Sequence, residues 1–494
     1  MKSLPPALFR FYQGCLQCAM AAAILLLPLT SLPLLSRVMG DTQVAPPTVI
    51  FILLLAVGWL PVYLLQGGKI PGEAAPFLVF VLLAIISSAA AFFIDLPSYR
   101  GYSITGTELR ALLTLAIGLA IYLVVSLWHR EPGRMAITLR LINWSGAILL
   151  AWSLIQMAYI YLGGGHYPDL MVRIQALLST RSLLDPGFRS RVGGFTYEPS
   201  WLAHQLNLVF LPYWLAATIT GYSAVKKLWR ISLENCLLVV GVIIMYFTIS
   251  RVGLVAFLLM MAFGFYRLNV LSVRWLQERL GKQKAIQRWR VDRLLPLVTI
   301  LVVVLIYLGG VIGLLTVWAH FDPRTANLLS LRSIPTNLFL FAEKVDFAER
   351  VVYWSIGWSV FARYPLLGVG LGNNGFFFKE YLPNIGYRLT EIVTLLYQSN
   401  TLPNIKSLWV RLLAETGLVG FSAFAAWQVV LWRVGTILRS RRSIFLRTLG
   451  WMGGLAILAF LAEGFSIDSF ALPYLFVAMG LLTASRTLAY EPSE

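Results

Sequence analysis

Cysteine and histidine are both scarce: the 494 residues hold three cysteines and four histidines. Cys15 and Cys18 share one apolar run and Cys236 lies in another, so neither a disulfide framework nor a zinc site is implied. A C-x-x-C within an apolar helix reads as lipid-facing packing. Charge is also thin, with 13% Asp, Glu, Lys and Arg against 58% apolar residues, which excludes an ordinary soluble domain. No repeat of fixed period and no low-complexity segment occurs. Acidic residues are the scarcer charge, 22 against 40 basic ones, for a net charge of +18. Such an excess suggests a nucleic-acid partner unless topology accounts for it.

Apolar runs are abundant, and they do account for it. A hydrocarbon layer needs about 20 apolar residues per helical crossing, and on that measure the chain holds about twelve spans. The expected fold is an all-α polytopic integral membrane protein with a large outer loop that contains short helices. Residues 1–162 carry helices 1 to 5, 163–200 form an outer loop, 201–318 carry helices 6 to 9, 319–407 form the large loop and 408–494 carry helices 10 to 12. Lys2 and Arg10 precede the first run, but that run, Gly14 to Leu35, is long and lacks a small-residue cleavage site, so it reads as a retained span. One of the expected spans runs from Leu294 to Trp318.

With both termini cytoplasmic, the inside loops are the basic ones. They include Lys226, Lys227 and Arg230, then Arg267, Arg274, Arg279, Lys282, Lys284, Arg288, Arg290 and Arg293. Most of the net charge is therefore an orientation signal, and no nucleic acid is expected as a partner. The lipid bilayer is. Within the large loop, Phe347, Val351, Trp354, Trp358 and Phe361 recur at helical spacing and predict an aromatic-faced helix ending before Pro365.

The densest chemistry lies from Arg191 to His204. Arg191 precedes the flexible pair Gly193-Gly194, and Glu198-Pro199 has the form of a helix start. Glu198 has three open roles: general base, partner of Arg191, or cap. His204 falls within the helix, where a lone histidine more often bonds a neighbouring span than acts as a base. Arg251 interrupts the apolar run from Cys236 to Tyr266, which predicts two short spans meeting at Ser250-Arg251. Its guanidinium either holds an anion or pairs with a carboxylate such as Glu463 or Asp468.

Gly370, Gly372 and Gly375 form a G-x-G-x-x-G in which Asn373 also sits. No strand precedes it, so a nucleotide site fails on context and a plain turn or a ligand-lining loop remains. Lys406, Arg411 and Glu415 open the span after the large loop. Arg411 and Glu415 share a helix face, so they pair with each other or Arg411 points at a ligand.

Five segments together resemble the O-antigen polymerase and O-antigen ligase superfamily. They are Arg191 to Ser200 (R-V-G-G-F-T-Y-E-P-S), Ser250 to Leu254 (S-R-V-G-L), Glu349-Arg350 with Trp354, Tyr364 to Gly372 (Y-P-L-L-G-V-G-L-G) and Leu412 to Leu418 (L-L-A-E-T-G-L). The resemblance covers roughly residues 180 to 420. It implies a GT-C-like glycosyltransferase of the bacterial inner membrane, working at its periplasmic face on polyprenyl-pyrophosphate-linked oligosaccharide. No metal and no other cofactor is implied, and a chain-length regulator protein is a possible partner. Catalytic roles then fall to Glu198, Arg191 and Arg251. Substrate contacts fall to Arg411, Arg350, Tyr197, His204, Gly370, Gly372, Asn373, Lys406 and Glu415. The family's ligases carry His-Asn shortly before the L-L-A-E-T-G segment, where this chain reads Lys406-Ser407 and has no histidine after His320. That departure favours a polymerase; a ligase and a transporter are the rivals.

Overall fold

The computed structural model describes residues 6–225 apart from 39 and 41, residues 231–280, residues 338–489 apart from 345, and single positions between 305 and 326. The expected span from Leu294 to Trp318 lies largely outside the described residues. So do Lys226, Lys227 and Arg230.

Among the described residues the protein is helical, and its one bridge between extended segments pairs Ser31 with Ala45. In chain order the helices are α1 (Pro6–Leu25), α2 (Pro33–Val38), α3 (Thr48–Gly58), α4 (Leu60–Leu65), α5 (Ala75–Ala91), α6 (Ile104–Trp128), α7 (Pro132–Tyr161), α8 (Asp169–Leu178), α9 (Pro186–Arg189), α10 (Pro199–Gln205), α11 (Leu211–Thr220), α12 (Leu233–Phe247) and α13 (Arg251–Leu280). After the partly described stretch come α14 (Leu338–Lys344), α15 (Ala348–Arg363), α16 (Thr390–Tyr397), α17 (Leu408–Arg439), α18 (Ile444–Glu463) and α19 (Pro473–Leu488). Local chemistry sets several starts. The hydroxyls of Ser103, Ser232, Ser407 and Ser443 accept the first backbone N–H groups of α6, α12, α17 and α18, which otherwise lack partners.

Seven helical segments are long and apolar enough to cross a bilayer among the described residues: Ala7–Leu25, Thr48–Leu65, Gly72–Ala91, Ile104–Trp128, Pro132–Tyr161, Leu408–Arg439 and Ile444–Glu463. Leu233–Phe247 and Arg251–Phe265 are apolar but shorter. These features mark a membrane protein, with a described span count below the twelve that hydropathy suggests.

Two compact units emerge. The first comprises Met1–Phe257, Gly357–Tyr381 and Leu402–Glu494; the second comprises Leu258–Ile356 and Leu382–Thr401. The first unit is centred on a buried aromatic cluster from α5, α6, α17 and α19. Phe77 stacks on Trp427 at 4.3 Å between ring centroids, and Tyr122 meets the same indole edge-on at 5.1 Å. Offset and edge contacts of this kind suit the ring quadrupoles and add to the area they bury. In the second unit, Tyr353 on α15 donates its hydroxyl to Glu391 on α16 at 2.9 Å.

The aromatic helix expected around 347–361 is α15, which ends at Arg363, before Pro365. The expected break at Ser250-Arg251 is also present. Helix α12 stops at Phe247, Ile249 takes a left-handed φ of 49°, and α13 starts at Arg251. Ser250 makes the new start: its Oγ accepts the Gly253 N–H at 3.3 Å.

Candidate active site

The segment from Arg191 to Glu198 is pinned to three elements of the first unit. The Gly193-Gly194 turn sits on Gln156 of α7, whose Oε1 accepts both glycine N–H groups at 3.2 and 2.8 Å. Gln156 and Gln175 each donate to the Gly194 carbonyl, at 2.9 and 3.2 Å. Gly194 has φ +61°, and a Cβ there would press on Leu149 and Ser153. Only glycine takes this turn without strain, so the pair is needed for the turn itself.

On one side of the turn the backbone is stitched to the α12–α13 break. Val192 N–H donates to the Phe247 carbonyl at 3.0 Å, and Arg191 Nε donates to the Thr248 carbonyl at 2.9 Å. These bonds bring Arg191 to the junction that begins α13 with Arg251. Both arginines are half-buried. The α13 N-terminus adds its own positive potential at that point.

On the other side lies Glu198. Its side chain does not cap α10. Oε1 meets Arg181 Nη1 at 3.4 Å, Oε2 accepts the Ser200 hydroxyl at 3.1 Å, and the side chain is 42% exposed. Of the three open roles, the cap is therefore not taken, and Glu198 pairs with Arg181. Arg181 also bonds Asp185 through Nε at 3.0 Å and lies 5.3 Å from the Tyr197 ring. Burial pushes the Tyr197 phenol up, with Arg181 opposing and Glu198 adding to the shift. Arg181 did not stand out in the sequence; the only local signal was Asp185 four residues on.

His204 is 1% exposed, and its Nδ1 meets Glu463 Oε2 of α18 at 2.6 Å. The other carboxylate oxygen accepts Asn207 Nδ2 at 2.6 Å, and the same amide reaches the Gly253 carbonyl at 2.8 Å. Next to it, Gln205 donates to Tyr474 at 2.8 Å and to the Pro28 carbonyl at 3.1 Å. These groups sit on a helix that widens into a π-helical turn at Leu206–Phe210, ahead of Pro212. Proline has no N–H to return to the preceding turn and its ring crowds a carbonyl there, so local widening relieves the clash.

The second group of sequence candidates forms a buried scaffold. Residues 365–372 run beside a break in α17 at Gly417, where φ is 63° and ψ −170°. Val369 and Gly370 donate to the Ala414 and Glu415 carbonyls at 3.0 and 2.9 Å, and Leu418 donates back to Pro365 at 2.8 Å. Gly370 and Gly372 both have positive φ, and a Cβ on Gly370 would meet Ala91, Glu108 and Asn373. Asn373 donates to Glu108 at 2.6 Å and Asn374 donates to Glu415. Arg411 pairs with Glu415 through Nε at 2.9 Å and also donates to the Asp468 carbonyl. Lys406 has φ 51° and its N–H donates to Asn404 Oδ1 at 3.1 Å. The glycine loop is thus a close-packed turn, and the Arg411–Glu415 pair foreseen from spacing is formed. Arg350 opens α15 in the second unit.

The structure therefore gathers Arg191, Tyr197, Glu198 and the start of α13 around one loop. It places His204 in a buried pair behind that loop, and Gly370, Gly372, Asn373 and Glu415 in the scaffold around α17. Residues 236–425 match the model of the family described as O-antigen ligase, Wzy_C. A comparison with the curated proteins found no match.

Proposed function

We propose that this chain, whose residues 236–425 match the family described as O-antigen ligase, is a membrane glycosyltransferase that polymerises a surface polysaccharide. The donor is a growing glycan on polyprenyl pyrophosphate and the acceptor is a sugar hydroxyl of another lipid-linked repeat unit, at the periplasmic face of the inner membrane. The observation that carries the reading is the pinning of Arg191 to the carbonyl just ahead of Arg251.

Transfer is a single inverting displacement. The acceptor oxygen forms a bond to the anomeric carbon as the bond from that carbon to the pyrophosphate oxygen breaks. The hydroxyl proton passes to Glu198, and polyprenyl pyrophosphate leaves. Guanidinium groups match phosphate oxygens in two-pronged fashion, so Arg191 and Arg251, with the α13 N-terminus, supply positive charge where leaving-group charge develops. Glu198 is half-exposed and held by Arg181 and Ser200, so its carboxylate is oriented and open to an incoming acceptor hydroxyl.

A second reading, ligation of the finished glycan to a lipid A core, is favoured by the match to the O-antigen ligase family. Product analysis separates the two. Loss of a polymerase leaves core capped with single repeats, whereas loss of a ligase leaves long chains on the lipid carrier. A deletion strain that keeps normal long chains on its core would refute both.

A further inference from the structure

An open cavity of about 510 Å³ lies beside Tyr197 in the first unit. Its lining includes Ser36, Arg37, Thr42, Gln43, Thr180 and Tyr197, while Arg191, Arg251 and Glu198 do not line it. The volume falls within the roughly 300 to 1,000 Å³ of small-ligand sites.

Its walls are tied together before any ligand arrives. One is the segment between α1 and α3 that carries α2; the other is the end of α8 and the turn after it. Thr180 N–H donates to the Ser31 carbonyl at 2.9 Å, the Ser31 and Thr180 hydroxyls meet at 2.5 Å, and Tyr197 N–H donates to Thr30 Oγ1 at 2.9 Å. The Ser36 hydroxyl donates to the Thr42 carbonyl at 2.7 Å. The Tyr197 ring lies 5.3 Å from the Arg181 guanidinium and 5.5 Å from the Trp201 ring.

The chemistry of this lining is selective. Among the described residues one arginine and no carboxylate line the cavity, and one arginine alone does not make a polyphosphate site. Hydroxyls, an amide and an aromatic ring with a polar tip match a ligand that has an apolar face and a hydroxyl rim. A pyranose ring has both.

We propose that this cavity binds the terminal sugar rings of the acceptor glycan, which deepens the polymerase reading and rests on it. The side of the loop decides for the acceptor over the donor. Tyr197 adjoins Glu198, the group assigned to the acceptor hydroxyl, and Arg181 links that carboxylate to a turn whose Thr180 and Ser182 line the cavity. The cations assigned to the leaving group lie beyond the Gly193-Gly194 turn.

The test uses full-length protein in detergent and, as probe, single-repeat oligosaccharide without lipid or phosphate, released from the polysaccharide of the strain that carries this chain. Ala176→Trp fills the cavity from an exposed position on α8, and Gln43→Ala removes an amide from its wall. In each variant the oligosaccharide Kd and its KM as acceptor should rise by about tenfold, the scale of one or two lost polar contacts. Turnover at saturating acceptor and the KM for lipid-linked donor should stay near wild type. Arg191→Ala should keep the oligosaccharide Kd while losing transfer. Unchanged Kd and acceptor KM in both cavity variants would overturn the proposal and leave the polymerase reading standing. A rise in donor KM alone would move the cavity to the donor glycan and overturn the acceptor assignment. Binding that responds to Ala176→Trp in a protein with no transfer activity would instead sink the polymerase reading.

Discussion

Arg191 is the residue on which the chemistry turns, because its Nε bond to Thr248 sets its place beside the start of α13. Arg191→Ala is expected to abolish long-chain product while leaving the protein in the membrane, and Arg191→Lys to restore only a small part, since a lysine lacks the two-pronged fit. Gel profiles of the polysaccharide read both; normal chain length in the alanine variant would remove Arg191 from the mechanism. Glu198→Gln keeps shape and loses the proton acceptor, so turnover should fall by about 10² to 10⁴. Near-normal turnover would leave Glu198 as a partner of Arg181 only. His204 calls for a different measurement. With Glu463 at 0% exposure, His204→Ala leaves its buried Oε2 without the His204 hydrogen bond, a change that costs about 1 to 3 kcal/mol. A drop in thermal stability in detergent is expected; unaltered melting with lost transfer would point to direct participation in the reaction.

Two broken helices do most of the positioning at the scale of elements. The α12–α13 break was legible because an arginine in the middle of an apolar run is costly in hydrocarbon, so the run had to turn there. The break in α17 was less legible, because L-L-A-E-T-G-L has good helical spacing and only Gly417 departs from it. Its φ of 63° and ψ of −170° belong to glycine, and a Cβ would run into the Leu366 backbone. Gly417→Ala should therefore destabilise the protein by at least about 2 kcal/mol and reduce its folded yield. Full yield and melting temperature in that variant would show that the 365–372 ladder tolerates a straight helix. The same ladder explains the formal G-x-G-x-x-G: its glycines permit close packing of loop on helix.

For the whole molecule, hydropathy suggests about twelve spans while seven described helical segments are long and apolar enough to cross alone. Besides the expected span from Leu294 to Trp318, which lies largely outside the described residues, the difference has a physical basis in the short helices. At 15 and 16 residues, α12 and α19 fall below a full crossing, and the run through α10 and α11 is interrupted by its π-turn. Strongly basic inside loops make an inward C-terminus the expectation, which a reporter fused after residue 494 checks: cytoplasmic-type activity is expected, and periplasmic-type activity would reverse the topology.

Composition and periodicity determined the helical membrane class, the aromatic helix before Pro365 and the split at Ser250-Arg251, and they offered the Arg411–Glu415 pair as one of two readings. All of these follow from contacts close in sequence or from the cost of charge in hydrocarbon. Tertiary structure alone decided which distant groups meet: Gln156 under Gly193-Gly194, Arg181 on Glu198, Glu463 on His204, and Arg191 at the start of α13. Each of those contacts joins different helices or loops, and a helix face constrains what it can bury without naming the residue that arrives to meet it.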